Sequence, residues 1–141
     1  MIVSEPRAPR AIITKIISEV RSSPESRVYL VTAYLPLLLS HVAALVNNNR
    51  MLLAQFKFYF VRQWQVEFPD IPVPDFEGVY SYDTMIRRFV EHIMVYRDRV
   101  YVRLGVHGIR SGVELEQAVK LKLAEILYNT AVGLLEFLGR V

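Results

Sequence analysis

The feature that most constrains this chain is a run of 22 residues, 28–49, without Asp, Glu, Lys or Arg. The run, VYLVTAYLPLLLSHVAALVNNN, is long enough to cross a bilayer, since a membrane span needs about 20 predominantly apolar residues. Pro36 near its middle and three asparagines at its end disfavour a span, and an intramembrane His41 would need a partner. The run therefore favours helices buried in protein, with a small membrane protein spanning at 28–49 as the alternative.

The composition indicates that one copy of the chain cannot bury all of its apolar side chains. The 141 residues suit a single domain, 1–141, but 52% of them are hydrophobic and the mean hydropathy is +0.24. Surplus apolar surface is covered either by lipid or by other subunits, so the sequence indicates association with further copies. The net charge is +3, and 13 of the 17 basic residues are Arg, the cation best suited to binding phosphate.

The sequence carries no pattern typical of an active site. There are no cysteines, and the three histidines are too widely spaced for a metal site. Neither a Walker loop nor a GxGxxG or GxSxG motif is present. We therefore expect no enzymatic activity, no catalytic residues, no metal and no cofactor.

The segment 1–22 is predicted to form a basic arm followed by a short amphipathic helix. Isoleucines occupy one side of that helix, and arginines alternate with hydroxyl side chains on the other. Such a face can contact phosphates, although an ordinary solvated face has the same pattern. The residues predicted to contact nucleic acid in this segment are Arg7, Arg10, Lys15 and Arg21.

The segment 23–68 is predicted to contain long apolar helices with a break at 47–49. Aromatic residues lie all around the second helix, which predicts burial on every side, in a core or a subunit interface. The segment 69–82 is predicted to be a Pro-rich acidic loop that faces solvent or a neighbouring subunit, away from any nucleic acid.

The segment 83–104 is predicted to form one helix, capped by Asp83 and striped with basic residues on one face. At 1.5 Å per residue the stripe would run about 22 Å, enough to follow several phosphates of a duplex. Its neighbour Arg87 is predicted to pair with Glu91 and Asp98, a structural role. The residues predicted to contact nucleic acid here are Arg88, His92, Arg99 and Arg103.

The turn after this helix adds Arg110 to the predicted nucleic-acid contacts, so that 87–110 holds six Arg against one Glu and one Asp. Gly105 and Gly108 fit the GxxG loop of KH modules, but the chain shows no convincing strands for such a module. The segment 111–139 is predicted to be a C-terminal amphipathic packing helix that opens with a capping box.

These patterns predict an all-α fold of four to five helices, a partly extended helical bundle that packs in a helical assembly. The chain resembles the major coat proteins of filamentous viruses of hyperthermophilic archaea, the lipothrixvirus- and tristromavirus-like group. The resemblance lies in its size, the segment SEPRAPR, the following AIITKIISEVRSS and the long apolar helices.

The resemblance implies a helical virion in which the protein wraps double-stranded DNA held in A-form. It also implies contacts with copies of itself, often a second, related coat protein, and sometimes a lipid envelope. Besides the membrane protein, one alternative stays open: a small helical nucleic-acid-binding subunit of an RNA-guided or replication complex.

Overall fold

The computed structural model of this chain describes residues 33–103 and 112–140, and these form five helices without a strand. The fold is all-α, as the sequence predicts. The helices are α1 (Leu35–Val46), α2 (Arg50–Glu67), α3 (Tyr82–Met94), α4 (Arg97–Arg103) and α5 (Gly112–Arg140). The predictions for the N-terminal arm and helix, for the turn around Gly105 and for Ser111 lie outside the described residues.

The predicted break at 47–49 is confirmed, because α1 ends at Val46 and α2 begins at Arg50. Asn49 caps α2: its side-chain oxygen accepts hydrogen bonds from the backbone N–H groups of Met51 (3.1 Å) and Leu52 (3.2 Å). The described part of the apolar run, 33–49, thus contains a helix of 12 residues and a turn. Among the residues described, no helix has both the length and the apolar character that a bilayer crossing requires.

Helix α2 buries one side only. Phe56, Phe60 and Trp64 recur every four residues and are fully buried. On the other side, Met51 is 82% exposed and Phe58 is 52% exposed. The prediction that this helix is buried all round is therefore wrong within one copy of the chain.

Helix α5 provides the surface on which the other long helices pack. It contacts α1, α2 and α3, and its buried residues recur at intervals of three and four. The ring of Tyr59 lies against Gly133 of α5, at a distance where an added Cβ would make an ordinary van der Waals contact 3.4 Å from the ring. The one buried polar residue among those described, Thr130, donates its hydroxyl to the carbonyl of Ile126 at 2.7 Å.

The Pro-rich loop is anchored in the core. The indole N–H of Trp64 donates to the carbonyl of Ile71 at 3.0 Å, a buried hydrogen bond. Phe76 packs edge-on against Phe60 and Phe89, with ring centroids 5.0 and 5.8 Å away. Each such buried side chain stabilises the fold by about 1.5–3 kcal/mol. The loop therefore holds α2 and α3 together.

The segment predicted as one helix over 83–104 is two helices. The N-cap of α3 is Ser81, whose hydroxyl accepts from the N–H of Thr84 at 3.3 Å, so Asp83 lies in the first turn rather than at the cap. A tight turn separates α3 from α4, since the N–H of Tyr96 bonds to the carbonyl of Ile93 at 2.8 Å. The predicted continuous stripe is interrupted at this turn.

Candidate nucleic-acid interface

The residues predicted to contact nucleic acid divide into two groups. Arg7, Arg10, Lys15, Arg21 and Arg110 lie outside the described residues, and of Arg103 the structure describes only the backbone, at the end of α4. Arg88, His92 and Arg99 are described in full, on α3 and α4. Each of these three contacts the Pro-rich loop.

Arg88 is exposed on α3, and its guanidinium lies 4.7 Å from the centroid of the Tyr80 ring. Stacking on an aromatic face leaves the N–H donors at the guanidinium edge available. Arg88 also borders an open pocket of about 280 Å³ between the loop and α3, together with Asp75 and His92. The position suits a contact with phosphate.

His92 has a structural role. Its Nε2 lies 2.7 Å from the carbonyl oxygen of Pro72, so this nitrogen carries the hydrogen, because a carbonyl can only accept. The imidazole packs among aromatic rings, 5.9 Å from Trp64 and 5.8 Å from Tyr96. The side chain is half-buried, and its hydrogen bond holds the loop on α3.

Arg99 is shared between the loop and solvent. Its guanidinium donates to the carbonyl of Asp70 at 2.7 Å and lies 5.1 Å from the ring of Tyr96. Arginine has five N–H donors, so one bond to a carbonyl leaves donors for a phosphate. The Pro-rich loop therefore runs alongside the basic residues of α3 and α4.

Two further arginines lie on these helices: the sequence analysis gave Arg87 a structural role and did not assign Arg97. Arg87 and Arg97 are exposed, and within the described residues neither forms a salt bridge. The predicted pairing of Arg87 with Glu91 and Asp98 is absent. Each of these two arginines lies within two positions of a predicted contact residue, Arg88 or Arg99.

Four arginines on α3 and α4 have side chains that the structure describes. They are hereafter called the α3–α4 arginine surface: Arg87, Arg88, Arg97 and Arg99. All four are exposed, and no carboxylate in the described part of the chain neutralises them by direct contact. Nor does that part contain three or more His, Asp or Glu side chains placed to hold a metal ion. The four exposed guanidinium groups are suited to electrostatic contact with an anion.

No protein-family model matches this chain, and neither a characterised protein nor a solved structure matches it.

Proposed function

We propose that this chain is a structural nucleoprotein, the major coat protein of a filamentous virion, which polymerises with copies of itself around double-stranded DNA. The observation that carries the proposal is the α3–α4 arginine surface, whose four guanidinium groups are exposed and without ion pairs in the described residues. On this proposal the protein is found in the virion and acts without a cofactor.

The surface favours binding to the backbone of a duplex rather than recognition of a base sequence. Guanidinium groups form bidentate hydrogen bonds with phosphate, and such contacts carry no sequence information. A coat protein must bind DNA of any sequence, which this chemistry allows.

Exposed apolar side chains support the polymerisation part of the proposal. Leu37 on α1, Phe58 on α2 and Leu121 on α5 are 69%, 52% and 55% exposed, and Val95 between α3 and α4 is 76% exposed. On this proposal, these side chains become buried in contacts with neighbouring subunits, where apolar side chains form the core of an interface.

A salt titration of duplex binding tests the nucleic-acid contact. Each phosphate contact that is removed should flatten the slope of log affinity against log salt by about 0.9. We expect this change for Arg88→Gln and Arg97→Gln, independent of DNA sequence. The matched control is Lys122→Gln, because Lys122 already pairs with Glu67 (3.3 Å) and Glu125 (3.6 Å) and should change the slope less.

Equal slopes for the wild type and both arginine variants would show that the surface only faces water, and the proposal would lose its main support. Negative-stain microscopy with and without nuclease then tests the architecture. Filaments whose length depends on intact DNA are expected. Discrete particles of fixed size would favour the alternative, a subunit of an RNA-guided or replication complex.

A further inference from the structure

The outward side of α2 combines exposed apolar and basic side chains. Met51 is 82% exposed and Phe58 52% exposed, and the guanidinium of Arg62 lies 5.7 Å from the Phe58 ring. At 100° per residue, Met51 and Arg62 fall within about 40° of Phe58, so the three share one face. Arg50 borders the same face, and residues 50–66 contain no Asp or Glu. This face, defined by Arg50, Met51, Phe58 and Arg62, is the α2 outer face.

The chain that follows has the opposite charge. Between residues 63 and 86 there are five acidic residues and no Lys, Arg or His. Asp70 and Glu77, in the Pro-rich loop, are exposed, and within the described residues their carboxylates form no salt bridge. The hydrogen bond from Trp64 to Ile71 and the packing of Phe76 on Phe60 fix the loop backbone between the two carboxylates.

Within one copy, the described ion pair between α2 and the acidic loop lies beside the α2 outer face and not on it. Lys57, one residue from Phe58 and so turned by about 100°, reaches the loop, where its Nζ lies 3.4 Å from Asp75. Tyr59, on the other edge of α2, packs on Gly133 of α5. The α2 outer face lies between Lys57 and Tyr59 on the surface of the helix. Arg50 and Arg62 accordingly have no carboxylate partner in the described part of their own chain.

We infer that the α2 outer face docks on the acidic Pro-rich loop of a second copy of this chain. Arg50 and Arg62 would face Asp70 and Glu77, as Lys57 faces Asp75 within a copy, and Phe58 would be buried beside the prolines. This inference rests on the proposed function, for which it supplies the contact between subunits.

Charge and symmetry favour this pairing over a symmetric one. If two α2 outer faces met around a two-fold axis, Arg50 and Arg62 of both copies would lie in one interface, and like charges repel. A contact between two different surfaces is heterologous. Such contacts leave one free surface at each end and extend into a filament when they do not close into a ring.

A charge-swap experiment on the full chain, without DNA, tests the inference. Sedimentation velocity is measured for three variants: Arg50→Glu/Arg62→Glu, Asp70→Lys/Glu77→Lys, and the combination of all four substitutions. Each double variant should weaken self-association by about tenfold, because like charges then face each other. The fourfold variant should recover it, since the charges are opposite again and the net charge is that of the wild type.

The control is Lys120→Glu on α5, which changes the net charge in the same direction as the α2 substitutions do and should leave self-association close to that of the wild type. Circular dichroism checks the fold of every variant. Failure of the fourfold variant to recover association while remaining folded would overturn the inference. So would a loss of DNA binding in Arg50→Glu/Arg62→Glu with unchanged self-association, which would make DNA the occupant of the face.

The two proposals fail separately. If the salt slopes are equal in the duplex titration but the charge swap recovers association, then the subunit contact stands and the nucleic-acid function falls. If the arginine variants of α3 and α4 flatten the slope but the charge swap recovers nothing, then only the subunit contact falls.

Discussion

The side-chain amide of Asn47 pairs with the backbone of Val79 in both directions. Its Oδ1 accepts from the N–H of Val79 at 2.8 Å, and its Nδ2 donates to the carbonyl of the same residue at 2.9 Å. A single side chain thus supplies the donor and the acceptor that a neighbouring strand would offer. The pair joins the turn between α1 and α2 to the last residues of the Pro-rich loop, just before α3 begins.

Removing this amide should destabilise the protein. In Asn47→Ala both polar groups of Val79, a residue only 2% exposed, lose their partners, and the free energy of unfolding should fall by about 1–3 kcal/mol. Denaturant unfolding measures the change. Asn48→Ala, at the exposed neighbouring position, is the control and should stay within about 0.5 kcal/mol of the wild type. Equal losses in both variants would show that the Asn47 pair contributes nothing specific.

Gly78 is coupled to the same pair. A Cβ at this position would stand 3.1 Å from Oδ1 of Asn47, so the amide would have to shift by a few tenths of an ångström against its two hydrogen bonds to Val79. Gly78→Ala should therefore destabilise the protein, although replacing Gly by Ala otherwise stabilises by about 0.4–1 kcal/mol through the unfolded state. A double-mutant cycle measures the coupling, and the loss should disappear in the Asn47→Ala background. Additive effects would contradict a clash with the amide.

The sequence could predict the elements whose causes are local. The break at 47–49 and the position of α5 follow from asparagine preferences and from apolar spacing, and the structure confirms both. The turn at Val95 and Tyr96 has no such signal, because it contains neither Gly nor Pro and the apolar period continues through it. Within this turn, Tyr96 lies against the ring of His92, four residues earlier.

The candidate site was only partly predictable for the same reason. The sequence identified the basic character of 87–110 and correctly placed Arg88 and Arg99 at exposed positions. It could not show that carbonyl groups of the loop accept hydrogen bonds from His92 and Arg99. Every residue has a backbone carbonyl, so residue identity does not reveal which carbonyl acts as the acceptor. When apolar residues lie all around a helix, their spacing also does not show which side is exposed to solvent. Phe58 lies on the exposed side of α2.

Two adjacent leucines in the apolar run should respond very differently to a charge. Leu38 is 3% exposed and Leu37 is 69% exposed. Leu38→Arg should abolish cooperative folding, because it would bury an unpaired charge. Leu37→Arg should leave the free energy of unfolding within about 0.5 kcal/mol of the wild type. Thermal unfolding followed by circular dichroism compares them, and a well-folded Leu38→Arg would contradict the placement of α1 in the core.

High pH should destabilise the protein through two tyrosines. Burial, with a smaller effect of Asp83, raises the pKa of Tyr82 from 10.0 to about 12. Burial and the neighbouring Tyr34 raise the pKa of Tyr128 as well. A raised pKa in the folded state means that the stabilisation is complete below pH 10.0 and is lost as the pH rises through the folded-state values.

The free energy of unfolding should therefore fall between pH 10 and pH 12, and it should fall less in Tyr82→Phe. Denaturant unfolding at a series of pH values measures it. Tyr80→Phe, which removes a phenol at an exposed position, serves as the control. An identical pH dependence in the wild type and Tyr82→Phe would exclude Tyr82 as a source of the loss.

Arg99→Gln should change both the stability of the protein and its binding to duplex DNA, whereas Arg97→Gln should change only the binding. Arg99 bonds to the carbonyl of Asp70, so Arg99→Gln should lower the free energy of unfolding by about 0.5–1.5 kcal/mol. Arg97 is exposed and makes no such bond within the described residues, so Arg97→Gln should change stability by less than about 0.5 kcal/mol. Both variants should flatten the salt dependence of duplex binding alike.

Arg99→Lys keeps the charge but not the planar fork, so it should preserve the salt slope while retaining less of the loop contact. Equal stability of Arg97→Gln and Arg99→Gln would show that the bond to Asp70 does not hold the loop.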